Sequence, residues 1–282
     1  MIRFGPAGNS DEFYAQGFKS TWQAPKWLAE MGLNAFEYSF GRGVRLTEKT
    51  GRQIASEAEK HDVAISMHAP YYINLAGEGE EKYQKNLKYF LDCAKAGEYL
   101  GAKRIIFHPG ACANKDRNEA FSVVKTSLQR IVKDLDDAGY NDVILCPETM
   151  GKINQIADLK EVSVLANIHE RIYPTIDFAH LHARDIGGIN SYDDFKNIID
   201  FLFDSIGEEK TKNMHVHFSH IEYTKAGEKM HRTFAETDFG PDHVPLCRLF
   251  YERDMSPVVI CESKGTQAID AKMMLDSYNS NK

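Results

Sequence analysis

The sequence predicts an α/β fold, a closed (β/α)8 TIM barrel built as a single domain over residues 1–282. Three observations predict it. Strand-like and helix-like segments alternate along the chain, and its length suits a barrel of this kind, which typically needs about 250 residues. Several strand segments are almost continuously apolar (RIIF, VILC, VVIC), as a parallel sheet buried on both faces requires. Finally, six apolar runs end in His, Asp or Glu: ISMHAP, IIFHPG, VILCPET, YPTIDFAH, MHVHFS and PVVICES. Parallel barrel strands all end at one face, so residues at those tips converge however far apart they lie in sequence.

The elements follow in order. A short strand is expected at residues 2–4, then an amphipathic helix at 24–31 ending at Gly32, a glycine suited to terminating it. Strand two is 35–38, and helix two 47–61 with Thr47 as its N-cap. Strand three is 64–67. The long helix 80–100 stops at Gly101, strand four is 104–107, and helix 117–138 stops at Gly139. Strand five (143–146) precedes helix 156–168, and strand six (173–176) precedes helix 192–206. Strands seven and eight are 215–218 and 258–261, with a last helix at 267–278. The segment GEKMH, carrying His231, is expected in a loop. An open doubly wound sheet is the competing arrangement, but no GxGxxG follows the first strand.

Five cysteines form an odd set without CxxC spacing, three of them in apolar stretches where a reduced thiol is a small core residue. No signal-like segment opens the chain and no apolar run nears 18 residues, so a cytoplasmic protein without membrane contact is expected. A net charge of −7 argues against nonspecific nucleic-acid binding, which rests on Lys and Arg. Divalent ions in the cleft would offset that charge where a phosphate would lie. The tip residues supply N and O ligands without a thiolate, a set suited to Zn²⁺ or Mn²⁺.

HAPYYINL, LGAKRIIFHPG, PETMG, DFAH and the final ICE resemble motifs of the endonuclease IV family. These are zinc-dependent apurinic/apyrimidinic endonucleases within the xylose-isomerase-like barrels. The resemblance spans roughly residues 60–265 and is strongest from His68 to Glu148. It implies two or three Zn²⁺ per chain. His68, His108 and Glu148 resemble the ligands of a first metal. Glu148, Asp177, a histidine of strand seven and Glu262 resemble those of a second, with Glu148 bridging. His180 and His231 resemble two ligands of a third. The strand-seven ligand is His215 or His217; the family's His-apolar-Asn pattern resembles His217-Phe218-Ser219 and favours His217, which is nearer the tip.

The implied reaction is metal-assisted cleavage of double-stranded DNA 5′ to an abasic site, as in base excision repair, with Glu148 as the catalytic carboxylate. Tyr71 falls on the family's intercalating tyrosine and Tyr72 on the apolar wedge after it. The chain also departs from the family. Lys229 stands where the third metal's Asp is expected, leaving Glu228 as the nearby carboxylate, and YSFGRGVRL, with Arg42 and Arg45, replaces the family's DNA-wedging loop. The rival reading is a single-metal sugar or sugar-phosphate isomerase or epimerase, for which Glu148, Asp177, His217 and Glu262 alone would suffice. A non-catalytic metal-binding barrel is the third reading, and His68 and His108 argue against it. No protein partner is expected.

Overall fold

The computed structural model describes residues 1–282. Its strands are β1 (Arg3–Pro6), β2 (Ala35–Ser39), β3 (Ala64–His68), β4 (Arg104–Phe107), β5 (Ile144–Pro147), β6 (Thr175–Asp177), β7 (His215–Phe218), β8 (His220–Thr224), β9 (Gly227–Arg232) and β10 (Val258–Cys261). Its helices are α1 (Asp11–Ala15), α2 (Ala24–Glu30), α3 (Glu48–Lys60), α4 (Glu80–Leu100), α5 (Arg117–Asp137), α6 (Leu159–Ala166), α7 (Phe178–Arg184), α8 (Tyr192–Lys212), α9 (Val244–Glu252) and α10 (Gln267–Asn279).

Eight parallel strands close into the expected barrel. Two four-stranded arcs, β1-β10-β7-β6 and β2-β3-β4-β5, meet at two seams. At one, Ala7 pairs with Glu37 and the Gly8 amide donates to the Glu37 carbonyl at 2.9 Å. At the other, Leu145 pairs with Ile172 and Glu148 with Thr175. Gly5 is dictated by the first seam: a Cβ there would stand 1.8 Å from the Ala35 carbonyl oxygen. The apolar core lies between strands and helices. One part gathers Phe4, Leu28, Phe36, Val216, Phe250 and Val259; the other gathers Ile54, Met67, Phe90, Ile105, Leu128 and Leu145.

All eight barrel strands occur, each within two residues of its expected start. Thr47 caps α3, its hydroxyl accepting from the Thr50 amide at 3.3 Å. The expected stop at residue 206 marks a real break: Gly207 leaves helical geometry (φ 81°, ψ 171°) before α8 resumes to Lys212. The expected helix 156–168 shortens to α6 because Asp158 caps it, accepting from the Glu161 amide at 2.9 Å. His231 lies in strand β9 rather than in a loop. Its partner strand β8 follows β7 almost without interruption, so the segment reads as one run. The short helices α1, α7 and α9 lie outside the expected elements. No helix is long and apolar enough to cross a membrane. All five cysteines are free and buried, and burial pushes the Cys146 thiol up to about 12.

Candidate metal centre

The barrel's C-terminal face gathers the strand-tip residues around one carboxylate. Glu148 directly follows β5 and is fully buried. Its Oε2 lies 3.2 Å from His68 Nε2 at the end of β3 and 3.2 Å from His108 Nε2 just after β4. Its Oε1 lies 3.2 Å from His180 Nδ1 and 3.4 Å from His217 Nδ1. His217 Nδ1 is also 3.5 Å from Glu262 Oε1, beyond β10. Asp177 ends β6 and caps α7, its Oδ1 accepting the His180 amide at 2.8 Å, which leaves Oδ2 turned into the cluster 3.2 Å from His180 Nδ1. Two ligand sets share Glu148: one of His68, His108 and Glu148, another of Glu148, Asp177, His217 and Glu262, the ligand atoms of each lying within 4.8 Å of one another.

Of the two strand-seven histidines, His217 is the one in this cluster. His215 sits deeper in the barrel, its Nε2 donating to Glu37 Oε2 at 2.9 Å. Both rings point inward because residues two apart on a strand share a face. The rise of about 3.3 Å per residue separates them in depth by one layer.

Asp177, His180 and His231 make a third cluster. His180 Nδ1 donates to the Thr149 carbonyl at 2.9 Å and His231 Nδ1 meets Ser219 Oγ at 2.8 Å, so both Nε2 atoms are left free. The nearby Lys229 is excluded by a β-bulge. In the β8–β9 hairpin Tyr223 pairs with Glu228 and Glu222 with Met230, leaving Lys229 unmatched. That extra residue shifts the strand's parity. Lys229 turns out to solvent and pairs with Glu222, whereas Glu228 and His231 both line the cleft. Glu228 Oε2 reaches 3.4 Å from His180 Nε2. Gly151 makes room for that approach, since a Cβ there would stand 2.6 Å from Glu228 Cβ and 3.0 Å from His180 Cδ2.

The donor chemistry fits metal ions. Glu148 Oε1, Asp177 Oδ2 and His217 Nδ1 are buried and meet no hydrogen-bond partner. Three buried polar atoms left without partners so close together would be costly unless a cation satisfied them. Electrostatics agree. Burial works to raise the pKa of Glu148, but the His108 and His217 charges and the close approach of His108 and His180 hold it well below the usual carboxylate range. Burial works to lower that of His68, yet its hydrogen bond to Glu148 and the Glu148 charge push it up to about 9. A metal must therefore displace a proton from His68. Affinity of this cluster for an added divalent ion such as Zn²⁺ is expected to climb as pH rises from about 6.5 to 9. A competition titration against a chelator that stayed flat across that window, after correction for the chelator's own protonation, would contradict this.

Above the cluster opens a cleft of about 420 Å³, walled by His68, His108, His180, Glu228, His231 and Glu262, with Lys152 as its one lysine or arginine. Tyr71 lines the rim. It stacks at an angle on Tyr72, ring centroids 4.5 Å apart, and both rings are about half exposed at 49% and 48%. Arg42 and Arg45 are exposed on the loop after β2, which is tied to the tyrosines by the Tyr71 amide donating to the Gly41 carbonyl at 3.3 Å.

Residues 25–278 match the model of a family described as the xylose isomerase-like TIM barrel. The chain belongs to this family. An uncharacterized protein of Methanocaldococcus jannaschii is 34% identical to this xylose isomerase-like barrel over 283 residues, spanning 99% of this chain and 97% of its own. A probable endonuclease 4 of Thermoplasma volcanium is 29% identical over 204 residues, 68% of each chain. Among solved structures, endonuclease IV from Thermus thermophilus aligns with a TM-score of 0.69 at 17% identity, covering 99% of this chain and 98% of that one. A D-tagatose 3-epimerase-like protein aligns with a TM-score of 0.70 at 17% identity, covering 99% and 97%. The two structural likenesses speak to the fold, which xylose isomerase-like barrels of both chemistries share.

One residue beside this cluster escaped sequence reasoning. Glu37, in the middle of β2, is fully buried and lies between His215 and His217. A signal was present: in AFEYS the carboxylate lies inside the strand, whereas the other acidic residues of the barrel strands and their tips stand at or beyond a strand's end.

Proposed function

We propose that this protein is a metal-dependent phosphodiester hydrolase that cuts duplex DNA 5′ to abasic sites, holding two or three Zn²⁺. The observation that carries this reading is Glu148, with His68 and His108 at one oxygen and His180 and His217 at the other. A carboxylate shared in this way suits a multinuclear centre. A single-metal epimerase does not need His68 and His108 converging on the same carboxylate.

In this reading His68, His108 and Glu148 hold one metal. Glu148, Asp177, His217 and Glu262 hold the second, and His180, His231 and Glu228 the third. Bound metals would activate a water and neutralise charge on the phosphate and the leaving oxygen. The protein supplies the rest. Asp177, Glu148 and His217 form a buried floor that excludes bulk water, while His68 and His108 are open enough toward the cleft to face a phosphodiester, their side chains 13% and 26% exposed. In this reading Glu148 would take the proton of the attacking water. Lys152 on the wall and Arg42 and Arg45 on the rim would contact flanking phosphates, countering the chain's negative charge. Tyr71 and Tyr72 would fill the gap opened where a baseless sugar leaves the stack, and such a sugar is cheap to extrude.

The test is paired: zinc per chain by elemental analysis, and incubation with a duplex bearing one tetrahydrofuran abasic analogue. Two or three zinc ions with nicking on the 5′ side are expected. Each stacked aromatic is worth roughly 1–3 kcal/mol, so Tyr71→Ala/Tyr72→Ala should raise KM for that duplex at least about tenfold while sparing cleavage at saturation. A single metal with no nicking moves the assignment to the second reading, a single-metal sugar epimerase. That reading draws on the second ligand set, which is complete by itself, and on the likeness to the epimerase-like structure.

A further inference from the structure

We infer that Glu37 is a positioning residue that fixes the tautomer of His217 and thereby aims its Nδ1 at the metal. This rests on His217 being a ligand, which both readings of the function share. Neighbours on β2 show how Glu37 comes to be inside: Phe36 packs in the outer core and Tyr38 against it, so alternation turns the residue between them into the barrel. There its carboxylate is fully buried, and both its ion-pair partners are histidines. Oε2 accepts from His215 Nε2 and from Ser66 Oγ, each at 2.9 Å. Oε1 has no other partner and stands 3.0 Å from His217 Nε2.

The far side of the same ring faces the centre, with Nδ1 3.4 Å from Glu148 Oε1 and 3.5 Å from Glu262 Oε1. A neutral imidazole carries one proton. A carboxylate against Nε2 keeps that proton on Nε2 and leaves the Nδ1 lone pair for a metal, while making the ring a better donor. His215 and Ser66 then have a purpose of their own. They occupy the other oxygen and prevent the carboxylate from swinging away, so β2, β3 and β7 together set the angle of one ligand.

A merely structural ion pair would predict lower stability with unchanged metal binding. The test therefore reads tautomer and affinity, and uses no substrate. In the zinc-loaded wild-type protein, ¹⁵N-resolved NMR of the histidine rings is expected to show the His217 proton on Nε2. In Glu37→Gln, which keeps side-chain shape but loses the charge, zinc affinity of the site containing Asp177 and Glu262 should fall roughly 10- to 100-fold while the site at His68 and His108 is spared. Ser66→Ala, which leaves the charge in place, should weaken the same site only a few-fold. A proton on Nδ1 of His217 in the wild type would overturn the inference, as would unchanged zinc affinity in a folded Glu37→Gln. Normal tautomer and affinity effects without nicking would sink the endonuclease reading alone, and a wild type that binds no zinc would sink both.

Discussion

On the proposed hydrolase reading, Glu148→Gln is expected to keep the barrel folded and to lower phosphodiester cleavage roughly a thousandfold or more. The substitution preserves volume at a fully buried position and removes one negative charge from the midst of four histidines. Without that charge His68 loses the partner that pushes its pKa up to about 9, so it can become neutral rather than remain as an unpaired buried cation. The fold is thereby spared. The chemistry would not be, because a neutral amide would hold metal ions far less well than a carboxylate. Metal polarisation is worth several kcal/mol, and each increment of about 1.36 kcal/mol is a factor of ten, which gives the thousandfold figure as an order of magnitude. Turnover at saturating zinc, circular dichroism and zinc content measured together decide it. A folded variant turning over at the wild-type rate would remove Glu148 from the mechanism.

Gly5→Ala should cost about 3 kcal/mol or more, although the residue touches no ligand. Its new methyl would lie 1.8 Å from the Ala35 carbonyl oxygen. Overpacked side chains typically cost about 1–3 kcal/mol because neighbours can turn aside. Here the obstacle is the backbone of β2, so the seam must open. For a chain this long each kcal/mol lowers Tm by about 2–4 °C, so a fall of roughly 10 °C is expected in thermal unfolding. The seam also carries Glu37, two residues beyond Ala35, and zinc affinity should weaken with it. A Tm within a degree or two of wild type would show that the seam tolerates a wider strand spacing.

Most of the barrel was legible because its signals are local. Apolar runs of four residues, a capping threonine at 47 and glycines at 32, 101 and 139 each act within a turn or a strand. The strand-tip residues were legible for a related reason, since parallel strands bring their ends together whatever the intervening sequence. What stayed hidden depends on partners far away. Glu37 meets His215 across 178 residues, and nothing in AFEYS names that partner. Lys229 falls where counting would place a ligand, yet a bulge set by pairing with β8 turns it outward and brings Glu228 in. The need for Gly5 comes wholly from the carbonyl opposite it.

The sequence by itself thus determined the barrel, the face on which its chemistry lies, and the residue types gathered there, because periodicity and strand direction are properties of the chain alone. Tertiary structure decided which histidine of β7 joins the cluster, which carboxylate of β9 points inward, and that Glu37 stands behind His217. Those outcomes turn on depth in the barrel, strand parity and ångström distances between distant segments, and only closing the barrel fixes them.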